Sequence, residues 1–342
     1  TMNQQAPIAY KPKDFATDQE VRWCPGCGDY AILKGVQKTL AEIGTAPENV
    51  VFVSGIGCAA RFPYYIETYG FHTIHGRAPA VATGVKLANP DLDVWLVSGD
   101  GDAMSIGGNH MMHLLRRNID VNYLIFNNEI YGLTKGQYSP TSRLGTRSPS
   151  TPAGSIDAPV SACGLALGAG GRFVARGIDR GQKELPGILK AAHAHKGASF
   201  VEILQNCIVY NDGVFDGVVD KSVAGEAQIH VQHGEPLRFG ADNAKGLRFN
   251  AKAMRLEVVT VGEDGVSEDD IIVHDQTNLA LAQMLAAMDR PDFPVAIGVI
   301  YDNPADVTYD QAVRAQNESA KAEAKITSID QLLRSGATWQ VD

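Results

Sequence analysis

Val94-Trp95-Leu96-Val97-Ser98-Gly99-Asp100-Gly101-Asp102 decides how this chain is read. The apolar run 94–97 predicts a short buried strand, and Gly-Asp-Gly-Asp has to turn tightly at its carboxyl end. A second run, Val121 to Phe126, ends in Asn127-Asn128. If both strands lie parallel in one sheet, Asp100 and Asn128 meet at its carboxyl edge. A carboxylate, an amide oxygen and a nearby backbone carbonyl are the hard donors that Mg²⁺ prefers, with a diphosphate completing the shell.

Outward from that stretch, strands and helices alternate. Tyr30 to Ile43 carries an apolar stripe at Ile32, Leu33, Val36, Leu40 and Ile43, which predicts a helix. Val50 to Val53 predicts a strand, 78–88 a helix of small residues, and Ser105 to Arg116 another helix. Residues 132–155 read as a long polar loop, a length that goes with function or disorder. A helix at 158–167, a strand at 172–176, a helix at 185–195 and a strand at 200–204 follow. This order implies an α/β fold with a doubly wound parallel sheet. The texture changes after Asn206. Turns and short alternating runs such as 256–261 come first, then a helix near 279–288, a strand near 295–300 and a charged helix at 310–325. The expected division is an amino-terminal arm at 1–22, an α/β domain at 23–206 and an appended lobe at 207–342.

Composition limits the function classes. A chain of 342 residues with 44% hydrophobic residues can bury a large core. A net charge of −9 without a basic stripe argues against nucleic acid. No apolar run approaches the ~20 residues that span a bilayer. Pro7, Lys11, Pro12 and Lys13 give an amino terminus without the apolar segment of a signal peptide, so a cytoplasmic location is expected.

Five cysteines is an odd number, and in a reducing compartment it points to metal or redox chemistry. Cys24-Pro25-Gly26-Cys27 alone could be a thioredoxin-like dithiol, half a zinc site or two iron–sulfur ligands. Cys58 and Cys207 each follow a predicted strand, which puts them at the ligand edge of a parallel sheet. Cys163 lies inside an apolar helix-like run and reads as a core residue.

The motifs fall in a definite order. Gly-Asp-Gly followed by Asn-Asn resembles the thiamine diphosphate signature. Carried over, it makes Asp100, Asn128 and the carbonyl of Ile130 the Mg²⁺ ligands. Cys24-Pro25-Gly26-Cys27-Gly28, Gly55-Ile56-Gly57-Cys58, His75-Gly76-Arg77, Gly99 to Ala103, Ile106 to His110, Tyr131 to Gln137 and Ser139-Pro140-Thr141-Ser142 complete the set. Over roughly residues 20–215 this chain resembles the β subunit of 2-oxoacid:ferredoxin oxidoreductases.

The resemblance implies a thiamine-diphosphate-binding fold and one [4Fe–4S] cluster on Cys24, Cys27, Cys58 and Cys207. It implies oxidative decarboxylation of a 2-oxoacid, with coenzyme A taking the acyl group and ferredoxin the electrons, or the reverse carboxylation. The carboxylate that activates the aminopyrimidine would stand on an α subunit, so the chain is expected to be inactive alone and to work in an (αβ)₂ assembly. Gly55, Ile56, Gly57 and Cys58 are expected to bring backbone N–H groups to the diphosphate. Gly99, Gly101, Asp102 and Ala103 are expected to open the helix beginning near Ser105 towards it. Gly132 and Leu133 are expected beside the cofactor. Arg61, His75 and Lys135 are candidate contacts to substrate or coenzyme A. Arg61 and Ser139 to Ser142 favour 2-oxoglutarate over pyruvate, with branched-chain 2-oxoacids open.

Three rivals are set aside by the same residues. A thiamine-dependent decarboxylase without redox needs no cluster cysteines. An iron–sulfur module that only carries electrons needs no Mg²⁺ pair. A dithiol protein needs only Cys24 and Cys27.

Overall fold

The computed structural model describes residues 9–341. Eight strands form one sheet in the order Tyr69–His72, Val50–Ser54, Asp93–Gly99, Val121–Asn127, Ala198–Leu204, Phe173–Ile178, Val295–Asp302, Gln228–Val231. The first six run parallel, as expected for a doubly wound sheet. Val295–Asp302 is antiparallel to Phe173–Ile178, and Gln228–Val231 runs parallel to it.

The central strands are buried along their whole length. Helices cover both faces, so these strands read as continuous apolar runs rather than alternating ones. Side chains still part by period two. Val51, Val53, Leu96, Tyr123 and Ile125 pack into one core, and Phe52, Trp95, Val97, Leu124 and Phe126 into the other. Each fully buried side chain of this size contributes roughly 1.5–3 kcal/mol. Helix Asp29–Ile43 buries Ile32, Leu33, Val36 and Leu40 on the second core, and Gly44 ends it in the left-handed region.

Register sets the functional edge. Ser54 pairs with Val97, Gly99 with Phe126, and Asn127 with Leu204. The segments starting at 55, 100, 128 and 205 therefore leave the sheet side by side.

The structure departs from the sequence reading in four places. The segment from 207 is not a lobe apart, because 228–231 and 295–302 extend the main sheet. Only the antiparallel strands Arg238–Phe239, Lys245–Asn250 and Arg255–Thr260 form a sheet of their own there. Of the amino-terminal arm, residues 1–8 lie outside the described residues. The rest is anchored by a 3₁₀ turn at Pro12–Phe15, with Phe15 fully buried. The helix read as 105–116 is Gly108–Arg117, and a separate short helix, Asp100–Met104, precedes it. The break lets Gly76 pack on Gly107, where a β-carbon would lie 2.5 Å from a backbone nitrogen. The loop at 132–155 is ordered by a hairpin pairing Ile130–Tyr131 with Gln137–Tyr138.

Candidate active site

Two cavities open at the carboxyl edge, and Cys58, Asn128, Gly132 and Leu133 line both. The first, about 110 Å³, is walled by three strand-end segments: 56–59, 99–102 and 128–134. Of the fourteen residues expected to bind the diphosphate cofactor, it takes in Ile56, Gly57, Cys58, His75, Gly99, Asp100, Gly101, Asp102, Asn128, Ile130, Gly132 and Leu133. Gly55 and Ala103 stand behind this wall. A β-carbon on Gly55 would collide with the Asp102 carboxylate, so Gly55 serves close packing there. Gly57, at φ 117°, gives the loop a conformation that an L side chain resists.

Asp100 is 2% exposed. Its Oδ2 accepts hydrogen bonds from Ser139 Oγ at 2.5 Å and Thr141 Oγ1 at 2.6 Å. Burial pushes its carboxyl above the usual range, while the two hydroxyls pull the other way. A cation beside it would complete what the hydroxyls begin. Ser139 to Ser142, read in the sequence as a substrate signal, thus grips Asp100. Ser142 Oγ turns to the Glu129 carbonyl.

Asn128 Oδ1 accepts from Ile130 N at 3.2 Å, and its Nδ2 donates to Gln205 Oε1 at 2.8 Å. Glu129 between them has φ 54°, a left-handed kink that lets residues 128 and 130 line the same cavity. The oxygens of Asp100, Asn128 and Ile130 could hold Mg²⁺. Asp102 does a different job. Its Oδ1 accepts from Ile56 N at 3.1 Å and Gly76 N at 2.7 Å, tying two loops to this turn. His75 Nε2 lies 3.6 Å from the same oxygen and is half-exposed at the cavity. The short helix Asp100–Met104 opens with two acidic residues, so it is no simple phosphate cradle.

The second cavity, about 260 Å³, is lined by Cys24, Cys27, Cys58 and Cys207, which come from three separate segments. All four are free thiols. Burial pushes Cys58 up to about 12, and the negative charges of Asp29, Cys207 and Cys24 add to the shift. Cys27 is raised further, again chiefly by burial. Cys27 and Cys58, raised in this way, would become thiolates on binding metal. Among the described residues no three His, Cys, Asp or Glu side chains converge on a single-ion site. Four thiols around one cavity are the donor set that could hold an iron–sulfur cluster. Trp23 Nε1 donates to the Cys58 carbonyl at 2.8 Å and fixes that loop. Cys163 is fully buried in the core, as expected.

The structure places Arg61 on the cysteine cavity, not on the first one. Its Nε donates to Tyr65 Oη at 2.8 Å, and its guanidinium lies 5.7 Å from the centroids of the Tyr64 and Tyr65 rings. Lys135 is exposed, with φ 76°, in the hairpin turn after Thr134. Sequence reading missed Gln205, Glu202 and Arg176, and gave no role to Asn127 of the Asn-Asn pair; all four support the site from behind. Asn127 carried a signal as half of the Asn-Asn pair, and Gln205 did so by following a strand end two residues before Cys207.

Residues 55–203 match the thiamine pyrophosphate enzyme family, C-terminal TPP-binding domain. The whole chain is 49% identical to 2-oxoglutarate oxidoreductase subunit KorB of Mycobacterium tuberculosis, and the match spans 92% of that protein. It is 50% identical to subunit beta of 2-oxoacid:ferredoxin oxidoreductase 1 of Aeropyrum pernix, over 58% of this chain and 62% of that one. Among solved structures it is similar to 2-oxoglutarate:ferredoxin oxidoreductase from Magnetococcus marinus with 2-oxoglutarate, coenzyme A and succinyl-CoA bound. That likeness has a TM-score of 0.76 and 32% identity, and it covers 96% of this chain and 97% of that chain.

Proposed function

Because the chain belongs to the β subunits of the 2-oxoacid:ferredoxin oxidoreductases, we propose that it supplies the diphosphate end of a thiamine site and the electron exit beside it. The observation that carries this reading is the shared wall of the two cavities at Cys58, Asn128, Gly132 and Leu133. When bound, thiamine diphosphate supplies the electron sink on which a 2-oxoacid loses CO₂, and a [4Fe–4S] cluster accepts electrons singly.

In this reading Asp100, Asn128 and the Ile130 carbonyl hold Mg²⁺ against the diphosphate. Ser139 and Thr141 oppose the upward push of burial on Asp100 and aim it, and Asp102 holds the 56 and 76 backbones in place. Cys24, Cys27, Cys58 and Cys207 hold the cluster. Cys58 sits on the common wall, which keeps the electron path short.

The substrate we propose is 2-oxoglutarate, converted to succinyl-coenzyme A, in line with the names of the mycobacterial and Magnetococcus proteins. Its distal carboxylate and the coenzyme A phosphates need N–H donors near the first cavity. His75 lines that cavity and Lys135 follows its lining residue Thr134 in the hairpin turn, whereas Arg61 opens on the cysteines. We therefore assign the anion contacts to His75 and Lys135, and Arg61 to the neighbourhood of the cluster. An α subunit completes the site with the activating carboxylate, ferredoxin takes the electrons, and the assembly is (αβ)₂ in the cytoplasm. No helix of the described residues is long and apolar enough to cross a membrane.

The test is an anaerobic assay of the αβ complex with a panel of 2-oxoacids, coenzyme A and ferredoxin. The expected result is turnover fastest with 2-oxoglutarate, dependent on coenzyme A, and absent from the isolated chain. Turnover by the chain alone, or no preference for 2-oxoglutarate over pyruvate, contradicts the reading.

A further inference from the structure

Gln205 is 1% exposed and lines the cysteine cavity, beside Asn128 on the wall that both cavities share. Its Oε1 accepts from Asn128 Nδ2 at 2.8 Å. Its Nε2 donates to Cys27 Sγ at 3.3 Å and to the Asn206 carbonyl at 2.6 Å. The backbone carbonyl can only accept, so it fixes which end of the amide is nitrogen. The opposite end must then be the oxygen that receives Asn128. One side chain thus touches the amide nitrogen of Asn128 at the first site and a sulfur of the second. Gly28 makes room for it, since a β-carbon there would lie 3.0 Å from Gln205 Cγ and collide with the Asp179 carboxylate.

Resting on the function proposed above, we propose that Gln205 is a positioning residue that couples the two cofactor sites. By accepting from Asn128 Nδ2 it holds that amide with Oδ1 towards the first cavity. By donating to Cys27 it stabilises the extra negative charge of a reduced cluster. Hydrogen bonds to cluster sulfurs are among the levers that set such potentials. Partners behind metal ligands commonly change affinity by about 10- to 100-fold when removed.

The experiment compares the anaerobic αβ complex of wild type with Gln205→Met and Gln205→Glu. It measures iron and sulfide content, the cluster potential by electron paramagnetic resonance titration, and the dissociation constant for Mg²⁺–thiamine diphosphate. Met removes both contacts, so the potential shifts negative and cofactor affinity falls about 10- to 100-fold. Glu keeps an acceptor for Asn128 but loses the donor to sulfur, so the potential shifts negative while affinity holds. A Met variant with full iron, unchanged potential and unchanged affinity overturns the proposal. So does a Glu variant that loses affinity as severely as Met, since that marks general disturbance. If Met fails to keep its cluster, Glu alone decides by the same criterion. A wild-type complex without iron or thiamine overturns the proposed function instead, so the two failures are distinct.

Discussion

Arg176 Nε donates to Glu202 Oε2 at 2.7 Å, from one buried strand to the next. Burial alone would push the Glu202 carboxyl up. The Arg176 charge and hydrogen bonds from Arg176 and Asn127 outweigh it and hold the group below the usual range. Glu202 Oε1 receives Asn127 Nδ2 at 2.7 Å, and Thr141 stands 3.0 Å from Asn127 Oδ1 on the way to Asp100. A buried ion pair thus ends a row of polar contacts that reaches the proposed metal ligand. Removing one partner leaves the other charge buried and unpaired, which costs about 3–5 kcal/mol. Arg176→Met is expected to lose that much in urea unfolding of the cofactor-free chain. A loss under about 1 kcal/mol, no more than an average substitution, contradicts the account.

Ser139 and Thr141 give a second prediction. Ser139→Ala with Thr141→Val removes both hydroxyls from Asp100 and leaves its burial unchanged. Mg²⁺–thiamine diphosphate affinity is expected to fall about 10- to 100-fold, while iron content stays that of wild type. Unchanged cofactor affinity would show that these hydroxyls merely fill space.

How much of this was legible in the sequence follows from what each residue faces. Strand ends carrying Gly-Asp-Gly and Asn-Asn announce themselves, because ligand chemistry there departs from core chemistry. Cys58 and Cys207 could be placed for the same reason. Arg176 and Glu202, and the bond Glu202 makes with Asn127, could not, because the partners lie on neighbouring strands and the pairing depends on register. The reach of the main sheet past residue 206 was hidden because Gln228–Val231 is a short edge strand. It alternates like a loop flank rather than running apolar like the central strands. Arg61 was misplaced because distance along the chain from Cys58 says nothing about which side of the common wall a side chain takes.

His274 predicts a pH effect. It is 1% exposed, its Nε2 lies 2.9 Å from the Val299 carbonyl, and its Nδ1 has no partner among the described residues. Burial lowers its pKa below 6.5, so the unfolded chain takes up the proton first. The stability held above that value is therefore lost as pH falls through and below it. The thermal midpoint of the cofactor-free chain is expected to drop between about pH 7 and 5.5, and His274→Asn should flatten that slope. An unchanged slope in the variant sinks the assignment.

Gly28 tests the packing beneath the cysteines. Gly28→Ala forces a methyl against Asp179 and Gln205, and overpacking of this kind costs typically about 1–3 kcal/mol. Iron per chain is expected to fall, with thiamine binding less affected. A variant with full iron content would show that the loop yields freely.

The central claim is that one chain carries a thiamine diphosphate site and a four-iron cluster on two sides of a common wall. Quantifying iron, acid-labile sulfide and thiamine diphosphate in the anaerobically purified αβ complex tests it most directly. The account predicts about four irons and four sulfides on this chain with one thiamine diphosphate, and a spectrum that bleaches when 2-oxoglutarate and coenzyme A are added. A single zinc on the four cysteines, or thiamine without iron in a complex never exposed to oxygen, would contradict it.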